Sequence, residues 1–318
     1  MSDLSKSSAA IQSAAPSIVV VGSSNTDMVI KADHLPVPGE TILGGEFMMA
    51  AGGKGANQAV AAARLGGRVT FVARVGNDTL GEQAITGYRT EGIDTSLILR
   101  DEEKPTGVAL ILVDDKGQNV ISVASGANYR LSPQDADRAE AAIAGAKIVI
   151  VQLETPLDTI ERTAKIAVRY GVPVILDPAP APSTPLSDAL LSNITYIKPN
   201  ETEASRLTGV DVVDEATARQ AAEVLLAKGV RGVIITMGAA GALIVPKGEE
   251  AQFLPSKKVD AVDATAAGDC FSGALAVALA KGLPLIDAAQ FAIDAAAISV
   301  TRMGAQPSLP HACELENL

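Results

Sequence analysis

The sequence predicts an α/β protein, with a mainly parallel sheet, helices between its strands and a small β appendage. Three observations carry that expectation. Residues 17–22, Ser-Ile-Val-Val-Val-Gly, form a β-branched run without polar alternation, the pattern of a strand buried on both faces. From residue 69 onward such runs alternate with helix-length segments, the rhythm of βα units. That rhythm breaks at 28–50 and again at 106–124, where strand-like stretches follow one another with no helix between them.

Each element can be justified in order. Residues 1–16 are Ser/Ala-rich with one basic side chain, Lys6, and read as a disordered leader before a folded part spanning 17–318. Strand 17–22 leads to Ser23-Ser24-Asn25-Thr26-Asp27, a loop at its C-terminal end, where open α/β sheets bind ligands. Residues 28–31 and 41–50 have strand character around a turn at 35–41. A glycine loop at 51–55 feeds a helix that Gly66-Gly67 stops. Strand 69–74, helix 80–91 and strand 96–100 come next. A hairpin at 106–114 and 119–124 turns on residues 114–117, Asp-Asp-Lys-Gly, and pairs with the first appendage as a lid. Helix 132–144 opens with Ser132-Pro133 as cap and first position. Strand 147–151, helix 156–170 and strand 172–176 lead to a stiff loop at 177–182. Strand 194–197 runs into Lys198-Pro199-Asn200-Glu201-Thr202-Glu203, which opens a helix. Helix 215–228, strand 232–236, a turn at 237–241, strands 242–246 and 251–254, and helices to about 281 and over about 285–301 complete the chain.

Composition narrows the function. With 318 residues, 47% of them hydrophobic, the chain can bury one large core and carry an appendage. A net charge of -11 with scattered basic side chains argues against nucleic-acid binding. The two histidines, His34 and His311, are too far apart for a His-based zinc site or a Ser-His-Asp triad. The two cysteines, Cys270 and Cys313, form no C-x-x-C and suit a reducing compartment. No apolar run reaches membrane-spanning length, so the expectation is a soluble cytoplasmic protein without membrane partners.

The chemistry concentrates at residues 262–273. Ala266, Ala267 and Gly268 leave unobstructed backbone amides at a helix start, where the helix dipole favours an anion such as phosphate. Asp269 beside them would repel that anion unless it takes a proton from an attacking hydroxyl; the alternative is a plain helix cap. Asn25 and Asp27, two apart, point the same way in extended backbone and suit sugar hydroxyls, or serve ordinary loop chemistry. The glycines at 52, 53 and 55 admit a ligand close to the backbone, with Lys54 and Asn57 as donors. This is no Walker A loop, because Met48 and Gly55 stand where Gly and Ser/Thr are required. Glu154 ends another strand. Asn200 and Glu203 form either a capping box or a water-mediated Mg²⁺ and phosphate site. The small residues at 237–241 suit nucleotide contact.

Gly-Gly-Lys-Gly-Ala-Asn at 52–57 and Asp-x-x-Ala-Ala-Gly-Asp at 263–269 are specific as a pair. Together with Asn25-Thr26-Asp27, Gln152-Leu153-Glu154, 198–203 and 304–308, they make the chain, from 17 to about 311, resemble the ribokinase (PfkB) family of carbohydrate kinases. The resemblance implies a three-layer α/β/α sandwich with a β lid at about 28–50 and 106–124, which in the family clasps a second subunit as a homodimer. It implies ATP-dependent phosphorylation of D-ribose at O5. Asn25, Asp27, Gly53, Lys54, Asn57 and Glu154 then match ribose-binding positions, Asp269 the catalytic base, and Ala266, Ala267 and Gly268 the anion hole. Asn200, Thr236, Gly238, Ala239, Ala240, Gly241, Gly268 and Ile293 match the ATP site, and Glu203 the glutamate that organises Mg²⁺ through water. Asp263, Thr265, Ser299, Arg302, Gly304 and Ser308 match loops that hold K⁺, largely through backbone carbonyls. Three positions depart from the family pattern. Ala264 lacks the usual Thr hydroxyl. Cys270 replaces Thr or Ser, as a packing residue or as a thiol activated by the helix N-terminus. Ile293 offers adenine no polar handle. A 2-deoxyribose or adenosine kinase on the same scaffold and a non-catalytic sugar-binding protein are the competing readings; a nucleoside is disfavoured because aromatics are only 3% of the chain and none flanks Asn25, Asp27 or Glu154.

Overall fold

The computed structural model describes residues 15–315. The expected leader lies outside the described residues except at Ala15 and Pro16, and Pro16 O already accepts the Arg68 N–H at 2.9 Å. The first half of the chain runs β1 Ser17–Val21, β2 Asn25–Lys31, β3 Glu46–Gly52, α1 Lys54–Arg64, β4 Arg68–Gly76, α2 Thr79–Thr90, β5 Ile98–Asp101, β6 Gly107–Val113, β7 Asn119–Ala124, α3 Pro133–Arg138, α4 Glu140–Ala144, β8 Ile148–Gln152 and α5 Leu157–Arg169. The second half runs β9 Val174–Asp177, α6 Asp188–Leu191, β10 Tyr196–Ile197, α7 Glu201–Thr208, α8 Glu215–Ala227, β11 Gly232–Thr236, β12 Gly241–Pro246, β13 Gln252–Pro255, α9 Ala267–Ala280, α10 Leu285–Ser299 and α11 Ala312–Leu315. Among the described residues no helix is long and apolar enough to cross a membrane.

The main sheet has nine strands in the order β13-β12-β11-β10-β9-β8-β1-β4-β5. The strands from β11 to β5 are parallel, while β12 and β13 return antiparallel at one edge. The uninterrupted apolar run of β1 is explained by burial on both faces. Ile18 and Val20 face one core, shared with Ala59 of α1, Leu275 of α9 and Ala292 of α10; Val19 and Val21 face the other, shared with Ile160 of α5 and Ala221 of α8. The two cores make three layers, as expected. The parallel strands end at one rim, where the connections leading to α1, α7 and α9 converge.

A second sheet, ordered β3-β2-β6-β7, is the lid. Its strands lie where the broken βα rhythm placed them, with two differences, and a third difference falls outside the lid. β2 begins at Asn25, so Asn25, Thr26 and Asp27 belong to a strand, because each pairs with both β3 and β6. β3 begins at Glu46, leaving 41–45 irregular. The segment 132–144 is two helices, since the Ala139 N–H is shared between Asp135 O and Ala136 O at 3.2 and 3.1 Å and the α ladder restarts at Glu140. The Ser132-Pro133 start is as expected, with Asp135 Oδ2 accepting from both the backbone N–H and the hydroxyl of Ser132 at 3.0 Å.

Candidate active site

α9 begins in an unusual way. Its N-cap, Ala266, has φ 60° and ψ 11°, the one non-glycine residue with positive φ among the described residues. This left-handed conformation costs an L-residue about 1–2 kcal/mol and is typical of functional turns. Ala267 N–H bonds Ala264 O at 3.2 Å and Cys270 N–H bonds Ala266 O at 2.8 Å, while the amides of Gly268 and Asp269 between them find no partner. Two donors therefore stand free at the positive end of a 14-residue helix, beside an exposed Gly268.

Asp269 is not the cap of this helix. It sits in the first turn, only 5% exposed, and binds side chains from α1: Asn57 Nδ2 donates to Oδ2 at 2.9 Å and Gln58 Nε2 to Oδ1 at 3.0 Å. Burial pushes its proton affinity up. Lys54 opposes that shift, and the Asp177 carboxylate reinforces it.

The glycine loop lets α1 approach. At Gly53, φ 89°, a Cβ would meet Asn25 N at 2.7 Å; at Gly55 it would meet Ser23 N at 2.6 Å. Neither position has room for a side chain, so the loop lies against the β1–β2 connection and directs Lys54 and Asn57 inward. Lys54 is raised further above its usual range, first by Asp269, against the cost of burial, with help from Asp177, Glu154 and Glu203. Glu154, at the end of β8, accepts from Ser23 Oγ at 2.5 Å and from Lys54 N–H at 3.1 Å. Asp27 is pushed up to about 6 by burial, then by Glu154 and Asp269. Asn25, Asp27, Lys54, Asn57, Glu154 and Asp269 thus form one polar constellation beneath the lid.

The other predicted positions form two neighbouring groups. Asn200 and Glu203 make the capping box: Asn200 Oδ1 accepts Glu203 N–H at 2.8 Å, and Glu203 Oε2 accepts Asn200 N–H at 2.9 Å. Thr236, at the end of β11, bridges to Asn200, and Thr236 N–H bonds Pro199 O at 3.0 Å. Gly238, Ala239 and Ala240 form an exposed 3₁₀ turn closed by Gly241. Ile293 does not join them at the surface, because it packs into the core at 4% exposure. Asp263 ties two loops together, accepting from Thr265 N–H at 2.9 Å, Thr265 Oγ1 at 2.6 Å and Gly304 N–H at 2.8 Å. Burial pushes its carboxyl up, but those hydrogen bonds outweigh it and hold it below the usual range. Ser299 and Ser308 are buried nearby, with hydroxyls bonded to Ala296 O and Ala305 O. Arg302 pairs with Glu314, so only its backbone is available to a cation. The Cys270 thiol is fully buried and pushed up to about 12, which makes it a packing residue and rules out a reactive thiolate.

Four site residues escaped sequence reasoning. Asn128 donates to Asn25 Oδ1 at 2.7 Å and accepts Ser24 N–H at 2.9 Å, fixing the Asn25 amide. Gln58 and Asp177 sit behind Asp269, and Lys198 Nζ lies 3.3 Å from Asp177 Oδ1. The available signal was a glutamine and an aspartate inside otherwise apolar or proline-rich stretches; Asn128 gave none.

A buried carboxylate beside unpaired helix-terminal amides is arranged to transfer an anionic group onto a hydroxyl, which is phosphotransferase chemistry. Residues 15–312 match the family model described as pfkB family carbohydrate kinase, and the chain belongs to that family. Across 92% of its length it is 46% identical to a ribokinase of Haemophilus influenzae, covering 95% of that protein. It is 41% identical to a mouse ribokinase, over 95% of this chain and 94% of that one. A solved structure of Arabidopsis thaliana ribokinase complexed with ribose and ATP superposes with a TM-score of 0.90 at 35% identity, covering 95% of this chain and 98% of that one.

Proposed function

We propose that the chain is an ATP-dependent ribokinase, converting D-ribose and ATP to ribose 5-phosphate and ADP. The observation that carries this reading is Asp269: buried, raised in proton affinity, and set beside free amides at the start of α9. Asn25, Asp27, Gly53, Lys54, Asn57 and Glu154 hold the sugar by its hydroxyls. Asp269 takes the proton from O5 as O5 forms its bond to the γ-phosphorus. The bond from that phosphorus to the bridging oxygen breaks, and ADP leaves with the electron pair. The free amides of Gly268 and Asp269 and the helix dipole stabilise charge on the transferred group, in the turn that Ala266 and Ala267 shape, whose own Ala267 amide is already taken by Ala264 O; the contribution is about 10²–10³-fold in rate at comparable anion holes. Asn200, Thr236 and Gly238–Gly241 flank the nucleotide, with Ile293 beneath them.

Mg²⁺ fits beside Glu203, whose second carboxylate oxygen has no partner, and would offset phosphate charge there. K⁺ fits the carbonyls of the 263–265 and 299–308 loops that Asp263 already holds together. The outer lid face supports a homodimer: by register Ile30, Phe47, Met49, Leu110 and Val120 share the face opposite Asn25 and Asp27, and all five are exposed. We place the reaction in the cytoplasm, where ATP is available.

The test is ADP release with Mg²⁺-ATP and K⁺ across ribose, 2-deoxyribose, fructose, tagatose and adenosine. Selective turnover of ribose is expected. Selective turnover of another sugar would overturn the substrate and keep the base; silence from folded protein would favour a binding protein.

A further inference from the structure

We propose that Gln58 is a positioning residue for Asp269, with Asp177 as its second anchor. This rests on the reading of Asp269 as the base. Gln58 is fully buried on α1, beside the apolar run 59–63 that packs against the sheet. Its carboxamide is saturated: Nε2 donates to Asp269 Oδ1 at 3.0 Å and to Asp177 Oδ2 at 2.9 Å, while Oε1 accepts Gln152 Nε2 at 2.6 Å. A flipped amide would set its oxygen against two carboxylates, so the orientation is fixed. Asp177 is itself held by Ser272 Oγ at 3.2 Å and by Lys198 Nζ at 3.3 Å. One side chain therefore locks α1, α9, β8 and β9 together at the reacting carboxylate. Each oxygen of Asp269 takes one amide hydrogen and keeps a lone pair for a hydroxyl proton.

A carboxamide suits this position because it orients Asp269 without forming an ion pair that would cost basicity. The charged groups facing Asp269 are Lys54 from α1, Asp177 from β9 and Asp27 from β2, with Lys198 neutralising Asp177 from behind. Hydrogen bonds from Gln58 and Asn57 favour the ionised form, and the Asp177 charge opposes it. The two anchors therefore act with opposite sign on the same proton.

The experiment compares Gln58→Met and Asp177→Asn in the full chain, measuring kcat against pH, ribose Kd by calorimetry and folding by circular dichroism. Gln58→Met should lower kcat about 10–100-fold, as a misplaced reacting group does, with ribose Kd retained. Its acid limb should move to higher pH, and that of Asp177→Asn to lower pH. A purely structural role would leave both limbs in place. Limbs that stay put, or folded Gln58→Met with full kcat, would overturn the proposal. Should Gln58→Met not fold, the direction of the Asp177→Asn limb decides. Failure of the base assignment is separate: it would appear as full turnover in Asp269→Asn.

Discussion

Replacing Asp269 by Asn removes one proton acceptor and little volume. The consequences can be worked from its contacts. Asn57 and Gln58 each donate to one carboxylate oxygen. An asparagine offers one oxygen and one NH₂, so one of those buried donors must face another donor. An unsatisfied buried donor costs about 1–3 kcal/mol, and relief of the desolvation of a buried charge works in the opposite direction. Net stability should thus change by no more than about 2 kcal/mol, a shift of only a few degrees in melting temperature for a domain of this size. The rate is a different matter. Loss of a general base costs about 10²–10⁴-fold, equivalent to about 3–5 kcal/mol of barrier. The proposed sugar contacts from Asn25, Glu154 and Lys54 remain. Steady-state ADP release and ribose calorimetry should therefore show kcat collapsing while ribose Kd moves little. If kcat falls less than about tenfold in protein of near-native stability, Asp269 is not the base.

Three further outcomes are expected. Asp27 binds its proton near pH 6 when folded and near 3.8 when unfolded, so between those values the native state holds the extra proton. Protein stability should rise as pH falls through that window, while ribose binding, for which the proposal uses the carboxylate as acceptor, should weaken; a pH-independent ribose Kd from 5 to 7 would contradict the assignment. Asp263→Ala removes two hydrogen bonds within the 263–265 turn and the one that joins it to the 304 loop, the loops proposed to hold K⁺. It should reduce the difference in rate between K⁺ and Na⁺ at constant ionic strength, and an unchanged ratio would detach Asp263 from cation activation. Phe47→Lys places a charge on the exposed apolar lid face, where Phe47 is 60% exposed. If the proposed dimer forms through this face, light scattering should then report a monomer, and a wild-type chain already monomeric at micromolar concentration would sink the interface.

What could be read ahead of the structure, and what could not, follows from how far each interaction reaches along the chain. The βα rhythm is local: β-branched runs and helix-length segments announce themselves within about ten residues, and the lid was visible as the place where that rhythm fails. Asn25 to Asp27 read as a loop because Asn and Asp favour turns. Their strand character comes only from β3 and β6, which flank them on both sides. The site residues were legible where chemistry is odd for its place, as with a carboxylate in an anion-binding turn. Asn128, 103 residues from Asn25, has no local signature at all, since its contact exists only after the turn that follows β7 folds back against the start of β2. The same distance explains why the cap reading of Asp269 and the cap reading of Asn200 stood on equal terms in the sequence. Both are acidic or amide residues at a helix start. What separates them is a partner on another element: Asn57 and Gln58 draw Asp269 away from its own helix, while Asn200 keeps the Glu203 amide as its acceptor's partner. A residue that forgoes its nearest backbone donors for buried side chains 212 and 211 positions away is not explained by capping, which would satisfy more donors with less ordering, and this is what the proposed base accounts for.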